Sequence, residues 1–441
     1  MDTRAWAANQ LAARLLAGPW TSPVIASAIE AVLGSGYPRS RAALAARLVA
    51  LGEATYPPAP HALAGYLIGS KYFKPSRRSP VAAVLDPPLF APAPPFAELG
   101  IPALATLGDL AAWLDLSPEQ LDWLADERDG HRRTVKMPFQ HYHYSYVAKS
   151  GGTARLIEAP KTRLKAIQRR ILREILSAVP VHRCAHGFVA GRSCLSGAQI
   201  HAGEFVVASF DLAQFFPSIG RPRIHGIFRS LGYPWAVARR LAGLCTTSTP
   251  AAVFLHPTET VGFEPGMAAL FAVPHLPQGA PTSPALANLL AWTLDRRLHG
   301  LARAASANYT RYADDLAFSG DADFARGLGR FGKAVESIVG EEGFSLNLAK
   351  TRIMPRHARQ RVTGIVVNEH CNVGRAEFDT LKAILHNCAR TGPADQNRAA
   401  VLDFRNHLAG RVAWVEQINP LRGAKLRVLF ERIDWSPLQS G

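Results

Sequence analysis

The sequence predicts an α+β fold, because strand patterns that end in acidic residues are separated by amphipathic helical patterns. Residues 205–210 form a nearly continuous apolar run, typical of a buried central strand, and the run stops at Asp211. Residues 306–320 form two further strand patterns on either side of the adjacent acids Asp314 and Asp315. A charge at the end of a buried strand is costly unless it is used. These three acids are therefore the first candidates for a functional site.

Helical patterns lie between and after these strands. An amphipathic helix is predicted over 161–177, with apolar residues recurring on one face and basic residues on another. Further helical patterns cover 285–298 and 323–339. A Pro/Gly-rich loop at 276–284 leads into the first of these two, and its Gly279 permits a close approach of the backbone to a ligand. Ser117 and Gln120 predict a capping box at the start of a short helix, and residues 142–155 predict a hairpin with its turn at 149–152.

The pair of acids at a tight turn carries a specific chemical meaning. Such a turn can hold divalent cations beneath a triphosphate, although adjacent acids in a turn are more often part of a solvated loop. Here the turn is preceded by the acid-ended strand and the glycine loop, and this order favours a catalytic site. Carboxylates are hard oxygen ligands, which suit Mg²⁺ as the cofactor.

Three segments resemble, in order, the motifs of the reverse transcriptase family. They are Phe-Asp-Leu-Ala-Gln-Phe-Phe-Pro-Ser-Ile at 210–219, Leu-Pro-Gln-Gly at 276–279 and Tyr-Ala-Asp-Asp at 312–315. The resemblance implies RNA-directed DNA polymerase activity and a right-hand polymerase fold of fingers, palm and thumb. The implied domains are an N-terminal helical extension with a Pro-rich linker at 1–103, fingers at 104–205, a palm at 206–374 with an inserted loop at 246–270, and a helical thumb at 375–441.

The resemblance also implies which residues hold the cations. Nucleotide transfer uses one cation to activate the 3′-hydroxyl and another to stabilise the leaving pyrophosphate. Asp211 and Asp314 would bridge two Mg²⁺ ions, and Asp315 would be a secondary ligand. The backbone carbonyl of Leu212 would be a further ligand. All three acids are thus predicted to be catalytic.

On the same grounds, six residues are predicted to contact the nucleotide or the template: Phe216, Gln278, Gly279, Arg155, Arg192 and Lys350. Phe216 would block the 2′-hydroxyl, which implies dNTP substrates, whereas its neighbour Phe215 is predicted to be core. The two arginines would grip phosphates. Lys350 would neutralise pyrophosphate or be an ordinary surface lysine, and Gln278 and Gly279 would otherwise be a plain turn before a helix.

Two more segments resemble the retron branch of the family. Val362-Thr363-Gly364 matches a signature found where the primer is gripped. Residues 197–201 match an Asn-Ala-x-x-His element at its alanine and histidine, but carry glycine in place of the asparagine. Val362, Thr363, Gly364 and His201 are therefore predicted RNA or primer contacts, and His201 could equally be a core histidine.

A retron enzyme implies particular partners. These are a structured noncoding RNA as template and primer, dNTPs, an RNA–DNA duplex product, RNA-linked single-stranded DNA (msDNA), and an effector protein in anti-phage defence. Three alternatives stay open: another bacterial reverse transcriptase of group II-like or abortive-infection type, an inactive RNA-binding scaffold with a polymerase fold, and an RNA-dependent RNA polymerase. The last typically has a second acid where Phe216 stands.

Composition agrees with an intracellular enzyme that binds a polyanion. The 441 residues carry a net charge of +16, and residues 131–210 hold 13 Lys and Arg against 3 Asp and Glu. The five cysteines have no metal-binding spacing, which favours a reducing cytoplasm. Neither a signal peptide nor a membrane-length apolar run is found, so no membrane partner is expected.

The N-terminal hundred residues show no catalytic pattern. Lys71, Lys74, Arg77 and Arg78 form a basic run with aromatic residues between them. This run favours a docking module for nucleic acid or a partner protein, and the alternative is a structural brace on the fingers.

Overall fold

The computed structural model describes residues 3–34, 36–54, 60–75, 88–126, 140–148, 154–254 and 266–435. Arg77, Arg78, the predicted hairpin turn at 149–152 and the centre of the predicted inserted loop lie outside these ranges. No helix in the described ranges is long and apolar enough to cross a membrane.

Seventeen α-helices are described, and several begin at side-chain caps. In chain order they are α1 (Thr3–Ala17), α2 (Ser22–Leu33), α3 (Pro38–Ala54), α4 (Pro60–Gly69), α5 (Leu107–Leu114), α6 (Pro118–Ala125), α7 (Thr162–Glu174), α8 (Cys194–Ala198), α9 (Arg221–Ser230), α10 (Trp235–Leu244), α11 (Met267–Ala272), α12 (Ser283–Leu290), α13 (Trp292–Ala304), α14 (Ala322–Glu341), α15 (Arg375–Thr391), α16 (Phe404–Ile418) and α17 (Pro420–Glu431). Ser117 and Gln120 form the capping box that the sequence predicts at the start of α6.

Eight strands form three antiparallel sheets among the described residues. The strands are β1 (Tyr142–Ala148), β2 (Ala154–Pro160), β3 (Val206–Asp211), β4 (Asn308–Tyr312), β5 (Asp315–Gly320), β6 (Arg352–Pro355), β7 (Arg361–Val362) and β8 (Ile365–Val366). β1 pairs with β2 and β7 pairs with β8, while a four-stranded sheet has the order β4-β5-β3-β6. The mixture of these sheets with many helices confirms the predicted α+β class.

The chain divides into two compact units, each assembled from separate stretches. One contains Met1–Pro180 and Gln214–Ala291, and the other contains Val181–Ala213 and Trp292–Gly441. The predicted linear boundaries of fingers, palm and thumb stay predictions.

In the first unit, the N-terminal extension has its own hydrophobic core. It is lined by side chains from α1 to α4, and Trp235 of α10 packs against it. The irregular segment that follows pairs with the α9–α10 connection, where Ala91 N–H donates to the Gly232 carbonyl at 2.9 Å and Phe90 contacts Tyr233. Arg229 donates to the Gly18 carbonyl. These contacts support a bracing role, but they are made with residues inside the predicted palm and not with the predicted fingers, and docking stays a prediction.

The same unit holds the predicted hairpin and amphipathic helix. β1 and β2 pair along their whole length, from Tyr142 opposite Pro160 to Ala148 opposite Ala154. α7 follows directly and buries the predicted stripe at Leu164, Ile167 and Ile171.

The second unit is built on the four-stranded sheet. β3 is its buried centre, because β5 and β6 flank it on either side. Helix α14 follows β5, and its N-cap Asp321 accepts hydrogen bonds from the backbone N–H groups of Asp323 and Phe324. Helices α15 to α17 share an apolar core with β7 and β8, and this core also includes Val207 of β3 and Ala317 of β5.

One helical prediction differs in detail from the structure. The pattern predicted as one helix over 285–298 is divided into α12 and α13, with a break at Ala291. Apolar periodicity continues across this break, because Leu286 and Leu294 are both buried, so periodicity alone did not reveal it.

Candidate active site

The strand register brings the predicted catalytic acids to one end of the sheet. β3 and β5 are antiparallel, and Asp211 is the direct partner of Asp315. Immediately beyond β3, Leu212 N–H donates to the Asp314 carbonyl at 2.9 Å. The acids therefore lie together although they are about a hundred residues apart in sequence.

The turn that carries Asp314 is as tight as the sequence predicts. Tyr312 pairs with Asp315, which leaves Ala313 and Asp314 as a two-residue connection between β4 and β5. Ala313 has a φ of 55°, a conformation that glycine adopts more readily than alanine. The surroundings must hold this turn in place.

Gly187 is part of those surroundings. A β-carbon at this position would lie 2.6 Å from the Ala313 nitrogen, so only glycine allows the 187 backbone to approach the turn. The adjacent Phe188 ring lies 6.2 Å from that of Tyr312. The sequence predicted a phosphate contact for Arg192 of this segment. It did not reveal that the segment packs against the catalytic turn.

The negative charges of Asp211 and Asp314 act on the neighbouring Asp315. Burial first, and then these two charges, raise the pKa of Asp315 to about 6. Lys350 offsets part of this charge, with its Nζ 3.0 Å from both carboxylate oxygens of Asp211. The lysine side chain is 55% exposed, so it can move aside at little cost.

The carboxylates fit a divalent cation delivered with a nucleotide. Within the described ranges, no three acidic, histidine or cysteine side chains already converge on one point. Mg²⁺ commonly takes only one or two carboxylates and completes its shell with water and substrate phosphates. Asp211 attracts the Lys350 ammonium group in the same way that it would attract a metal ion. The negative charge at this end of the sheet thus favours cation binding.

The predicted nucleotide residues of the first unit have distinct environments. Phe215 is buried, as predicted, whereas Phe216 is only half buried with its ring 5.5 Å from that of Phe215. Gln278 accepts from Glu158 N–H through its backbone carbonyl at 2.8 Å. Gly279 has a φ of 131°, and a β-carbon there would lie 3.0 Å from the Glu158 carbonyl. The glycine is therefore required by the close approach of β2.

A buried polar network behind this loop was missed by the sequence analysis. Glu158 accepts from the Thr249 hydroxyl at 2.6 Å and bonds His275 Nε2 at 2.9 Å. All three residues are buried. The network joins β2, the start of the predicted inserted loop and the segment before Gln278. Its one sequence signal was an acid, Glu158, among the apolar residues in the second half of β2.

The two predicted phosphate-binding arginines differ. Arg155 is exposed on β2. Arg192 instead donates from Nη1 to the carbonyls of His182, Arg183 and Ala185, at 3.1, 3.1 and 2.7 Å. This nitrogen holds the backbone of its own segment, and phosphate contact by either arginine stays a prediction.

Thr363 and Asp315 line the same small cleft in the second unit. His186, Cys194, Ser209, Thr310, Tyr312 and Val362 also line it. Val362 is buried, while Thr363 and Gly364 have φ values of 47° and 89° in the tight turn between β7 and β8. The predicted primer signature therefore lies next to a predicted catalytic acid.

His201, one of the predicted RNA contacts, lies in the protein interior. It is fully buried, and its two ring nitrogens bond the hydroxyls of Ser319 at 2.8 Å and Thr310 at 2.7 Å. Burial lowers its pKa to about 3, so the ring is neutral. This environment favours the core-histidine alternative over an RNA contact at His201, because the buried side chain joins the segment after α8 to β4 and β5.

Comparison with known proteins gives the family. Residues 147–367 match the model of the reverse transcriptase (RNA-dependent DNA polymerase) family. The retron Mx65 reverse transcriptase of Myxococcus xanthus is 42% identical over 334 residues, which cover 75% of this chain and 72% of that protein. This chain belongs to the reverse transcriptase family.

Other relatives are also retron enzymes. The retron Mx162 reverse transcriptase of Myxococcus xanthus is 36% identical, covering 74% of this chain and 66% of that protein. The retron Ec86 reverse transcriptase of Escherichia coli is 31% identical, covering 68% of this chain and 84% of that protein. These relatives confirm a retron-type bacterial reverse transcriptase with a right-hand polymerase fold and RNA-directed DNA polymerase activity. Such enzymes act on nucleic-acid templates and depend on divalent metal.

Proposed function

We propose that this reverse transcriptase copies a structured noncoding RNA into RNA-linked single-stranded DNA, the msDNA of a retron. The 42% identity to a retron enzyme over most of both chains carries the proposal. The cleft shared by Thr363 and Asp315 supports it, because a primer hydroxyl must reach the catalytic acids. Structured RNA is recognised through shape, phosphates and exposed loops, which suits a chain with a net charge of +16.

The proposed chemistry assigns the cations to the acidic end of the central sheet. Asp211 and Asp314 would hold two Mg²⁺ ions, with Asp315 and the Leu212 carbonyl as further ligands. When bound, these ions lower the barrier by polarising the attacking 3′-hydroxyl and neutralising the pyrophosphate. Lys350, whose Nζ lies 3.0 Å from the Asp211 carboxylate, would be close enough to offer its ammonium group to the leaving phosphates once a cation took its place beside Asp211.

Roles toward the nucleotide or the nucleic acid are proposed for the remaining predicted residues. Phe216 is half buried and follows Asp211 by five residues, which supports a role against the 2′-hydroxyl. Gln278 and Gly279 would line the nucleotide, on a loop fixed by the buried Glu158 network. Arg155, Arg192, Val362 and Gly364 would contact phosphates or RNA.

We further propose a cytoplasmic role in anti-phage defence together with an effector protein. All five cysteines are free thiols, as suits a reducing compartment. Plaque counts on cells carrying the wild-type gene, its flanking DNA and neighbouring genes test the defence role against an Asp314→Asn control. Equal plaque numbers across a broad phage panel would remove the defence proposal and leave the polymerase untouched.

Expression of the gene with its flanking DNA tests the retron product directly. We expect a short, abundant single-stranded DNA whose 5′ end is attached to RNA through a 2′,5′ branch, so that a debranching enzyme changes its mobility. The Asp314→Asn variant should yield none. If the purified wild-type enzyme extends any annealed primer equally well and no discrete RNA-linked DNA forms, the retron product is excluded while reverse transcription stands.

A further inference from the structure

We propose that Arg311, Asp295 and Tyr309 form a buried brace that fixes the catalytic turn, with Arg311 as a positioning residue for the polymerase reaction. Arg311 immediately precedes Tyr312 in the strand that leads to Asp314. It is not among the predicted site residues. The brace acts on the turn through the backbone, without touching substrate or metal.

The first observation is a fully buried ion pair. Arg311 and Asp295 are both inaccessible to solvent. Arg311 Nε and Nη2 donate to the two carboxylate oxygens of Asp295 at 2.8 and 2.7 Å. Tyr309 adds a third bond to this carboxylate at 2.8 Å. Burial alone lowers the pKa of Arg311, but the neighbouring Asp295 raises it overall, so the guanidinium stays charged.

The second observation is the hydrogen bond that the third guanidinium nitrogen of Arg311 makes. Arg311 Nη1 donates to the Ala313 carbonyl at 3.1 Å. Ala313 is the residue with positive φ between Tyr312 and Asp314. A buried charged donor therefore holds the peptide that leads directly into the predicted metal ligand. Charged hydrogen bonds are among the stronger ones, which suits a strained two-residue turn.

The third observation is that Arg311 is clamped through its backbone as well. Its N–H donates to the Cys184 carbonyl, and its carbonyl accepts from His186 N–H, each at 2.7 Å. This is the segment whose carbonyls are held by Arg192 and whose Gly187 packs on Ala313. Two arginines thus hold the catalytic turn: Arg311 directly, and Arg192 through the neighbouring segment.

Stability alone does not account for this arrangement. A buried ion pair is costly to desolvate, and well-packed apolar residues of similar volume are often equally or more stabilising. Apolar residues cannot donate to the Ala313 carbonyl. What these three residues provide and an apolar core could not is therefore a hydrogen-bond donor that holds the catalytic turn.

The decisive variant removes the trio without leaving an unpaired buried charge: Arg311→Met, Asp295→Leu and Tyr309→Phe together. A control, Arg297→Met with Glu342→Leu, removes a partly exposed arginine of the same helix, α13, which pairs with Glu341 at the end of α14 and with Glu342 directly after it. Thermal unfolding, primer extension on an RNA template and Mn²⁺ binding by electron paramagnetic resonance are measured on both. These readouts separate folding, turnover and metal affinity.

We expect the triple variant to stay folded, with kcat and Mn²⁺ affinity each lowered by about 10- to 100-fold because the turn is displaced. The KM for dNTP should change little, and the control should resemble the wild type in every kinetic and binding readout. Arg311→Lys provides a second test, since it keeps the charge but cannot grip Asp295 and Ala313 together. It should show the same losses in kcat and Mn²⁺ affinity.

Wild-type kcat and Mn²⁺ affinity in a folded triple variant would overturn the proposal. If the triple variant does not fold, wild-type values for Arg311→Lys would overturn it equally. An inactive wild-type enzyme would instead count against the polymerase assignment, so the two failures are distinguishable.

Discussion

At the scale of single residues, the predicted roles rest on one property of each side chain, such as the charge of Asp314 or the ring volume of Phe216. Asp314 occupies the two-residue turn and is joined to Leu212 through its carbonyl, so its backbone position is fixed independently of its carboxylate. A change confined to the carboxylate therefore tests chemistry without disturbing the turn.

Asp314→Asn should lower primer extension on an RNA template by at least ~10³-fold with folding preserved, because a ligand charge is lost while shape is nearly kept. Activity and thermal unfolding are measured together. Asp379→Asn, on the exposed surface of α15, is the control and should keep full activity. Wild-type extension by folded Asp314→Asn would contradict the assignment.

Phe216→Ala should raise incorporation of ribonucleotides relative to deoxynucleotides, because the ring volume that opposes the 2′-hydroxyl is removed. The ring is half buried, so the loss of stability should be at most about 3 kcal/mol. The ratio of kcat/KM for rNTP and dNTP is the measurement. Phe404→Ala, another half-buried phenylalanine, should leave that ratio unchanged. An unchanged ratio in folded Phe216→Ala would make Phe216 a packing residue.

His201 gives a prediction about stability and pH. Its folded pKa of about 3 lies below the ordinary 6.5, so the unfolded chain binds more protons between these values and stability falls as pH falls through this window. His201→Gln should therefore show a shallower loss of melting temperature from pH 7 to pH 5 than the wild type. The exposed His357→Gln should keep the wild-type slope. Parallel slopes for wild type and His201→Gln would show that the buried ring does not set the acid sensitivity.

At the scale of elements, the catalytic hairpin is controlled by segments that pack on it. The backbone near Gly187 lies closer to Ala313 than any side chain would permit. β4 also supplies Thr310 to the cleft and Arg311 to the buried brace, on opposite faces as strand alternation requires. The turn thus depends on contacts from both faces of its own strand.

Gly187→Ala should lower kcat by about 10-fold or more, because the added methyl group forces the catalytic turn to shift. Steady-state kinetics and the melting temperature are compared with Gly329→Ala, a site on α14 with open space around it. The control should be as active as the wild type and slightly more stable. Full activity in Gly187→Ala would mean that the turn tolerates the displacement.

At the scale of the whole molecule, the N-terminal extension is attached to the rest of its unit by specific backbone contacts. Gly232 has a φ of 100°, and a β-carbon there would lie 2.3 Å from the Pro92 nitrogen. Next to it in sequence, Tyr233 contacts the ring of Phe90, and Trp235 packs against the core of the extension. Attachment therefore depends on a glycine in the α9–α10 connection, outside the predicted catalytic motifs.

Gly232→Ala should detach this segment and lower the free energy of unfolding by about 2 kcal/mol or more, because both sterics and backbone conformation oppose the substitution. Chemical denaturation provides the measurement. Gly226→Ala, in α9 with nothing within 4 Å, is the matched control and should be neutral or stabilising. Unchanged stability in Gly232→Ala would argue against a bracing role for the extension.

The sequence by itself determined the family, the α+β class and the acids at the end of the central sheet. Asp211, Asp314 and Asp315 were predictable because the end of an apolar strand and a two-residue turn are local patterns that the motifs record. The capping box of α6, the β1–β2 hairpin and the apolar face of α7 followed from local rules of the same kind.

Only the tertiary structure decided which polar residues serve the protein interior. His201 was predicted to contact RNA but bonds two buried hydroxyls, and Arg192 holds three carbonyls of its own segment. Arg311 and Asp295 belong to no sequence motif, because they become partners only when strand β4 packs against helix α13. A side chain's hydrogen-bond partners depend on packing between elements, and the sequence lists residues without stating which of them meet.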